Sequence, residues 1–170
     1  MSQNKTEFLK LLVLVDGSQP SINAADCAIA LAKKECHSNN PQILIALHVV
    51  FSRLGYAYSP SGAFGSSGLT APDTVRELLE NTKNEAEVWF DKIRQKINNN
   101  NNGNSNILLQ TEVVVTATST VSAIVEYAKK KNVDLIITGT RGRSEFKKVL
   151  LGSVASGVIT RASCPVMVVK

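Results

Sequence analysis

Five apolar segments, spread along the whole chain, constrain the fold more than any other feature of this sequence. They occupy residues 8–15, 43–50, 107–116, 133–138 and 165–169. Most of them are apolar at successive positions, which is typical of strands buried on both faces of a parallel sheet. The sequence therefore predicts a sheet of five parallel strands, in which the segment that ends at Val15 is a central strand.

Four segments with helical periodicity separate these strands. The first follows Ser18, a suitable N-cap, and the second covers residues 73–97. The third follows a cap cluster of Thr118, Ser119 and Thr120 and ends at Lys131, and the fourth begins at Ser153. A strand, helix, strand order implies right-handed parallel crossovers, and the full alternation places helices on both faces of the sheet. With 170 residues, the chain is expected to form a single α/β domain, 1–170.

Two polar segments interrupt the alternation. Residues 52–71 are rich in Gly, Ser, Pro and Tyr, and we predict a flexible surface loop there, either a tolerated insertion or a lid near a ligand. Residues 98–106 are rich in asparagine and are predicted to form a flexible connection without a function. Trp89, in the second helix, is predicted to belong to the core.

The segment 139–153, GTRGRSEFKKVLLGS, lies between a buried strand and a helix. Gly139 and Gly142 are expected to adopt positive φ or to bring bare backbone close to a ligand, and Gly152 with Ser153 places N–H groups at a helix start, where the dipole favours an anion. This is a geometry for binding phosphate. The spacing matches neither a Walker A loop nor the dinucleotide fingerprint G-x-G-x-x-G.

The spacing G-x-x-G-x9-G-S resembles the nucleotide-binding signature of the universal stress protein family, in its ATP-binding branch. The resemblance extends over residues 8–169 and implies a Rossmann-like sheet in the order 3-2-1-4-5. The first and fourth strands are then neighbours. Ligands of open α/β sheets bind where the strand order reverses, at the carboxyl ends of the strands, which lies between Asp16 and Gly139.

The resemblance also implies roles for individual residues. Asp16 lies beside the nucleotide, where it accepts hydrogen bonds or holds Mg or Mn through water, and Val49 offers its backbone to the adenine; from the local sequence alone, Asp16 is equally a turn residue and Val49 a core residue. The predicted phosphate ligands are backbone N–H groups and the Ser153 hydroxyl. The complete predicted nucleotide site is Asp16, Gly17, Val49, Gly139, Thr140, Arg141, Gly142, Gly152, Ser153 and Val154.

The basic composition leaves the class of ligand open. A formal charge of +5 suits ATP or nucleic acid and equally suits plain solubility. The cations Arg141, Arg143, Lys147 and Lys148 fall in the glycine-rich segment, whereas Lys131 closes a helix, so we expect no nucleic-acid binding. Three cysteines without metal-ligand spacing are expected to be reduced and mostly buried, and the polar N-terminus, which lacks a signal-peptide pattern, predicts a cytoplasmic protein without a membrane span.

No recognisable pair of Ser and His or of two carboxylates, and no metal-ligand cluster, supports catalysis, and His37 and His48 have ordinary settings. We therefore predict a nucleotide-binding regulatory module of the stress response that binds ATP, or alternatively AMP or ADP, with little or no turnover. The alternatives are a slow ATP hydrolase and an interaction protein of the same fold that works without nucleotide.

The last apolar segment predicts a homodimer. Val166, Met167, Val168 and Val169 form an uninterrupted apolar strand that only Lys170 follows. An exposed strand edge of this kind pairs readily with another chain. The resemblance to the universal stress proteins implies the same pairing.

Overall fold

The computed structural model of the chain describes residues 8–35, 41–52, 73–99, 106–142 and 151–170. These residues form five strands and four helices in strict alternation. The elements are β1 (Lys10–Leu14), α1 (Gln19–Glu35), β2 (Gln42–Phe51), α2 (Asp73–Asn99), β3 (Ile107–Thr116), α3 (Thr120–Lys131), β4 (Leu135–Gly139), α4 (Ser153–Arg161) and β5 (Val166–Val169).

The strands form a single sheet in the order β3-β2-β1-β4-β5, and all four neighbouring pairs are parallel. The predicted fold class and strand order are therefore confirmed. Side chains of β1 alternate between two cores: Leu11 and Val13 face α1 and α2, whereas Leu12 and Leu14 face α3 and α4. The central strand is thus buried on both faces, which explains its continuous apolar sequence.

Side-chain caps define where two of the helices begin. The Ser18 hydroxyl accepts a hydrogen bond from the N–H of Ser21 at 3.4 Å, at the start of α1. Ser119 is the N-cap of α3 and accepts from the N–H of Ser122, also at 3.4 Å. Asn132 ends α3 in the left-handed conformation, with φ of 51°. Both predicted cap sites therefore have the expected geometry.

The second helix ends two residues later than predicted. The helix α2 continues through Asn98 to Asn99, so the first two residues of the predicted flexible connection are helical. Asn106, at the other end, already accepts a hydrogen bond from the N–H of Gln42 at 2.9 Å and leads into β3. The remainder of that connection, 100–105, and nearly all of the predicted loop, 53–71, lie outside the described residues.

The thiols differ from the prediction in their burial. Cys27 and Cys164 are free but only half-buried, because Cys27 lies where α1 packs beside β5 and Cys164 precedes that edge strand; Cys36 lies outside the described residues. Burial raises the pKa of the Cys164 thiol, which favours its protonated form. Among the described helices, none combines the length and apolar composition needed to cross a bilayer.

Candidate functional site

The crevice between the ends of β1 and β4 is the point where the strand order reverses. After β1 the chain turns onto the face covered by α1, and the segment after β4 leads to α4 on the opposite face. Two neighbouring strands that send their connections to opposite faces leave a gap above their carboxyl ends. Asp16 and Gly139 lie on the two sides of this gap.

A cavity of about 300 Å³ fills this gap. Its size lies at the lower end of the range of small-molecule pockets. Nine of the ten residues predicted for the nucleotide site line it, namely Asp16, Val49, Gly139, Thr140, Arg141, Gly142, Gly152, Ser153 and Val154. The fold thus brings together residues from three separate parts of the chain.

The Asp16 carboxylate is held by the turn that follows β1. Its Oδ1 atom accepts hydrogen bonds from the N–H of Ser18 at 3.0 Å and from the Ser18 hydroxyl at 2.6 Å. Its Oδ2 atom lies against Gly142, since a Cβ added to Gly142 would be 2.5 Å from that oxygen. One carboxylate oxygen is therefore used by the turn, and the other faces the glycine-rich segment.

Gly139 and Gly142 do not adopt the positive φ that the sequence suggested, since among the described residues only Gly17 and Asn132 have positive φ. Close approach accounts for both glycines. A Cβ on Gly139 would lie 2.6 Å from the carbonyl carbon of Pro20, so glycine lets the first turn of α1 pack onto β4. A Cβ on Gly142 would collide with the Asp16 carboxylate, so glycine there keeps the loop backbone beside that side chain.

Backbone hydrogen bonds anchor both ends of the glycine-rich segment. The N–H of Thr140 donates to the carbonyl of Val169 in β5 at 2.8 Å, and the N–H of Gly152 donates to the carbonyl of Thr140 at 2.7 Å. The prediction that the Gly152 N–H serves a phosphate is therefore corrected, because that donor already has an acceptor within the protein. The same bond closes the loop and places the start of α4 at the cavity.

The first turn of α4 supplies the donors that remain. Gly152 is the N-cap, with φ of −70° and ψ of 160°, and it makes no side-chain capping bond. The N–H groups of Ser153 and Val154 belong to the first turn, which has no acceptor within the helix. These amides, the exposed Ser153 hydroxyl and the positive end of the helix dipole place hydrogen-bond donors and positive partial charge at the cavity, the features that favour an anion.

Val49 reaches the cavity through its backbone. Odd-numbered residues of β2 bond toward β1: the N–H of Ile43 donates to Leu9, and the carbonyl of Leu47 accepts from Val15. Val49 has the same orientation. At its level, however, the segment that follows β1 no longer pairs with β2, because it turns away at Asp16. Its N–H and carbonyl groups therefore point into the gap beyond the end of β1, whereas its side chain packs on the core beside α3.

Gly17 is the one predicted site residue that does not line the cavity. It has φ of 80°, and a Cβ there would lie 2.4 Å from a ring carbon of Trp89. Trp89, predicted to be a core residue, is only half-buried and packs at the border of the core beneath α1 and α2. Gly17 is thus explained by the turn and by the tryptophan ring, without a ligand.

The cavity also includes polar residues that sequence reasoning missed. The Ser21 hydroxyl accepts a hydrogen bond from the N–H of Asp16 at 3.3 Å, and Thr120 and Thr138 also line the cavity. His48 is buried, with Nδ1 2.7 Å from the carbonyl oxygen of Val15, so Nδ1 carries the proton. For Thr120, the available signal was its position at the start of the helix that follows β3, at the carboxyl edge of the sheet.

Arg141 is the one cation of the glycine-rich segment that falls within the described residues, and it lines the cavity half-exposed. The other three cations, Arg143, Lys147 and Lys148, lie outside them. No group of three or more His, Cys, Asp or Glu side chains that could hold a metal ion occurs in the part of the chain that the structure describes. A divalent ion at this site would therefore rely on Asp16 and on oxygens of the ligand itself.

Comparisons with known proteins found related sequences. The family model described as Universal stress protein family matches residues 7–170. The chain is 31% identical over 163 residues to Universal stress protein MJ0531 of Methanocaldococcus jannaschii, covering 96% of this chain and 82% of that protein. It is also 31% identical over 164 residues to Universal stress protein YxiE of Bacillus subtilis, covering 96% and 99%.

Solved structures show the same fold. The universal stress protein UspA from Lactobacillus plantarum superposes with a TM-score of 0.74 at 27% identity, covering 98% of this chain and 100% of that one. A universal stress protein in complex with cAMP has a TM-score of 0.59 at 22% identity, covering 97% and 99%. One from Archaeoglobus fulgidus in complex with dAMP has a TM-score of 0.55 at 19% identity, covering 97% and 100%. The last two identities support similarity of fold alone.

Proposed function

The chain belongs to the universal stress protein family, and we propose that it binds ATP in the cavity between Asp16 and the start of α4, as a regulatory module with little or no turnover. One observation carries the proposal: a single cavity combines the outward-facing backbone of Val49 with the unpartnered first turn of α4. The first suits the edge of a base, and the second suits phosphate.

The adenine and ribose are proposed to occupy the part of the cavity bordered by β2 and by the chain after β1. Val15, Leu47 and the backbone of Val49 lie there. A donor and an acceptor from one residue can pair with one edge of a base, and the apolar surroundings favour an aromatic ring over water. The Asp16 carboxylate lies near enough to this region to accept from a ribose hydroxyl.

The phosphate chain is proposed to run along the glycine-rich segment toward α4. Gly142 has no side chain to cover its backbone. The phosphate chain is proposed to end at the Ser153 and Val154 amides and the Ser153 hydroxyl. Arg141 adds positive charge at the rim. Mg or Mn bound to the phosphates would lie beside the Oδ2 atom of Asp16, where one carboxylate and phosphate oxygens form a common arrangement for such ions.

Other members of the fold family support an adenine nucleotide as the ligand class, since the two complexes named above hold cAMP and dAMP. We assign ATP to this chain because the spacing G-x-x-G-x9-G-S resembles that of the ATP-binding branch of the family. ADP and AMP are the alternatives within the same class. The proposed place of action is the cytoplasm, where these nucleotides occur.

Slow or absent hydrolysis follows from the groups around the proposed phosphate site. An efficient phosphotransfer site positions a base or a water-orienting side chain next to the terminal phosphate. Here the Oδ1 atom of Asp16 accepts two bonds from Ser18, and the Nδ1 atom of His48 is bound to Val15. A slow ATP hydrolase remains the second candidate, because the Oδ2 atom of Asp16 still faces the segment that would hold phosphate.

The proposal is tested by identifying the nucleotide that purified, denatured protein releases, by ion-pair chromatography and mass spectrometry. We expect ATP, or ADP or AMP derived from it, in an amount near one per chain. Protein that releases no nucleotide and shows no ATP binding by calorimetry would favour the nucleotide-independent alternative. A kcat of about 1 s⁻¹ or more, the low end for ordinary kinases, would instead establish an enzyme.

A further inference from the structure

A second cavity, of about 180 Å³, lies between α1 and α2, on the face of the sheet opposite to α4. Its apolar wall consists of Val15, Ile22, Ala25, Ile93 and the ring of Trp89. Its rim carries Lys92, Lys96 and Asp26, together with the side-chain amides of α2. None of the residues predicted for the nucleotide site lines it.

The Trp89 ring, which forms the aromatic wall of this cavity, is held in place by its contacts with other residues. The Trp89 ring contacts the bare backbone of Gly17 and meets the ring of His48 edge to face, with 5.1 Å between centroids and 83° between planes. His48 is in turn bound to the carbonyl of Val15. A ring restrained on one side and open on the other presents a rigid apolar surface, which lowers the entropic cost of binding a flat ligand.

The cavity exists because α1 has a small side chain where it faces α2. Ala25 is buried and lies between the larger, half-buried Ile22 and the buried Ile29, which follow the helical spacing. Across from it, Trp89 and Ile93 lie one turn apart on α2. Because Ala25 is small, a space remains between α1 and the side chains of Trp89 and Ile93.

The rim is cationic. Lys96 pairs with Asp26 at 2.5 Å, with both side chains about half exposed. Lys92 lies one turn before Lys96 on the same side of α2, and within the described residues it has no ion-pair partner. Two lysines against one aspartate leave a net positive charge at the mouth of an apolar cavity. This combination is complementary to a molecule with an apolar body and one negative end.

We propose that the α1/α2 cavity is a second ligand site, which takes a small organic monocarboxylate whose apolar body is about the size of one six-membered ring. A dry cavity of about 150 Å³ is known to hold benzene, so the volume here fits a body of that size. The ring of the ligand lies against Trp89, and its carboxylate lies at the rim beside Lys92. The site is separate from the nucleotide cavity, although both include Val15 in their walls.

Benzoate and its uncharged counterpart, benzyl alcohol, are suitable probes. The chain has one tryptophan, and that residue lines the cavity, so its fluorescence reports binding directly. We expect benzoate to change the Trp89 emission with a Kd of about 1 mM or lower. Benzyl alcohol should bind about fivefold more weakly, the difference expected for one exposed charge pair. Calorimetry provides the independent readout.

Three substitutions separate a specific site from general charge attraction. Lys92→Glu should weaken benzoate about tenfold and leave benzyl alcohol unchanged, whereas Asp26→Asn should strengthen benzoate because it releases Lys96. Lys83→Glu is the matched control: it changes the net charge by the same amount, but nine residues are two and a half turns, so it lies on the opposite face of α2. It should leave both affinities within about twofold of the original values.

Ala25→Leu fills the cavity and should abolish binding of both probes, provided that circular dichroism shows a folded protein. If that variant does not fold, the surface substitution Lys92→Glu still tests whether benzoate binds in the α1/α2 cavity. The proposal is overturned if benzoate gives no saturable signal below about 10 mM. It is equally overturned if Lys92→Glu and Lys83→Glu act alike, or if saturating ATP displaces the benzoate, which would place the probe in the nucleotide cavity.

Discussion

At the scale of single residues, the negative charge of Asp16 would repel a phosphate bound next to it. The Oδ2 atom lies against Gly142, along which we place the phosphate chain. Two unit charges about 4 Å apart interact by about 4 kcal/mol at an effective dielectric constant of about 20. A repulsion of this size would outweigh the contribution of a single amide hydrogen bond, so a divalent cation between the two anions is the simplest resolution.

Asp16→Asn should therefore reduce the dependence of ATP binding on Mg²⁺. The asparagine oxygen can still accept from Ser18, and the negative charge is gone. For the wild-type protein, we expect chelation of Mg²⁺ to weaken ATP at least about tenfold; for the variant, we expect less than about threefold. Calorimetry with and without a chelator measures both, and Asp91→Asn, on the surface of α2, is the control. An unchanged Mg²⁺ effect in Asp16→Asn would remove Asp16 from the metal site.

Gly17→Ala should lower the stability of the fold. The residue has φ of 80°, which side chains rarely adopt, and the added methyl group would meet the Trp89 ring at 2.4 Å. We expect a loss of about 1–3 kcal/mol in the free energy of unfolding, measured by urea denaturation. Gly152→Ala is the comparison, because there φ is −70° and the nearest atom is 3.3 Å from the new Cβ. A loss as large in Gly152→Ala would contradict the account of Gly17.

At the scale of elements, the N–H and carbonyl groups that an edge strand directs away from the sheet decide what that edge can bind. Odd-numbered residues of β5 face β4, since the carbonyls of Pro165 and Val169 accept from that strand and its loop. Val166 and Val168 therefore direct their N–H and carbonyl groups to the free edge of the sheet, where β5 is the last strand. We propose that this edge pairs with β5 of a second copy to form a homodimer.

Val168→Pro should convert that dimer to a monomer. Proline removes an N–H that points outward, so the substitution takes away a donor for the partner strand and none for β4. Light scattering at tens of micromolar should give twice the mass of one chain for the wild-type protein and a single chain mass for the variant. A wild-type protein that is monomeric at this concentration would contradict the dimer itself.

At the scale of the whole molecule, the sheet separates two cores and, with them, two cavities. The proposed nucleotide cavity lies at the carboxyl edge and borders α3 and α4, whereas the second cavity lies between α1 and α2. Val15 borders both, because it lies where β1 ends and the chain begins its turn. Val15 is therefore a residue of the described chain that contacts both cavities.

The sequence predicted the parallel sheet because continuous apolar strands and their alternation with helices depend on local pattern, whereas the strand order was implied by the resemblance to the universal stress proteins. It also identified nine of the residues that line the cavity. It did not predict why each glycine is required, because the neighbours of Gly17, Gly139 and Gly142 are distant in sequence or depend on turn geometry. The same limit hid His48 and Thr120, whose surroundings exist only once β1, β2 and α3 are packed together.

The central claim, ATP binding at the glycine-rich segment, is tested most directly by calorimetric titration of ATP into wild-type protein and Gly142→Val. The valine side chain would collide with the Asp16 carboxylate and would add bulk to the segment along which we place the phosphates. We predict at least about a tenfold loss of ATP affinity in Gly142→Val, and no change in Lys131→Ala, at the far end of α3, once circular dichroism shows both variants folded. Equal affinity in wild type and Gly142→Val would show that ATP does not bind along this segment and would contradict the account.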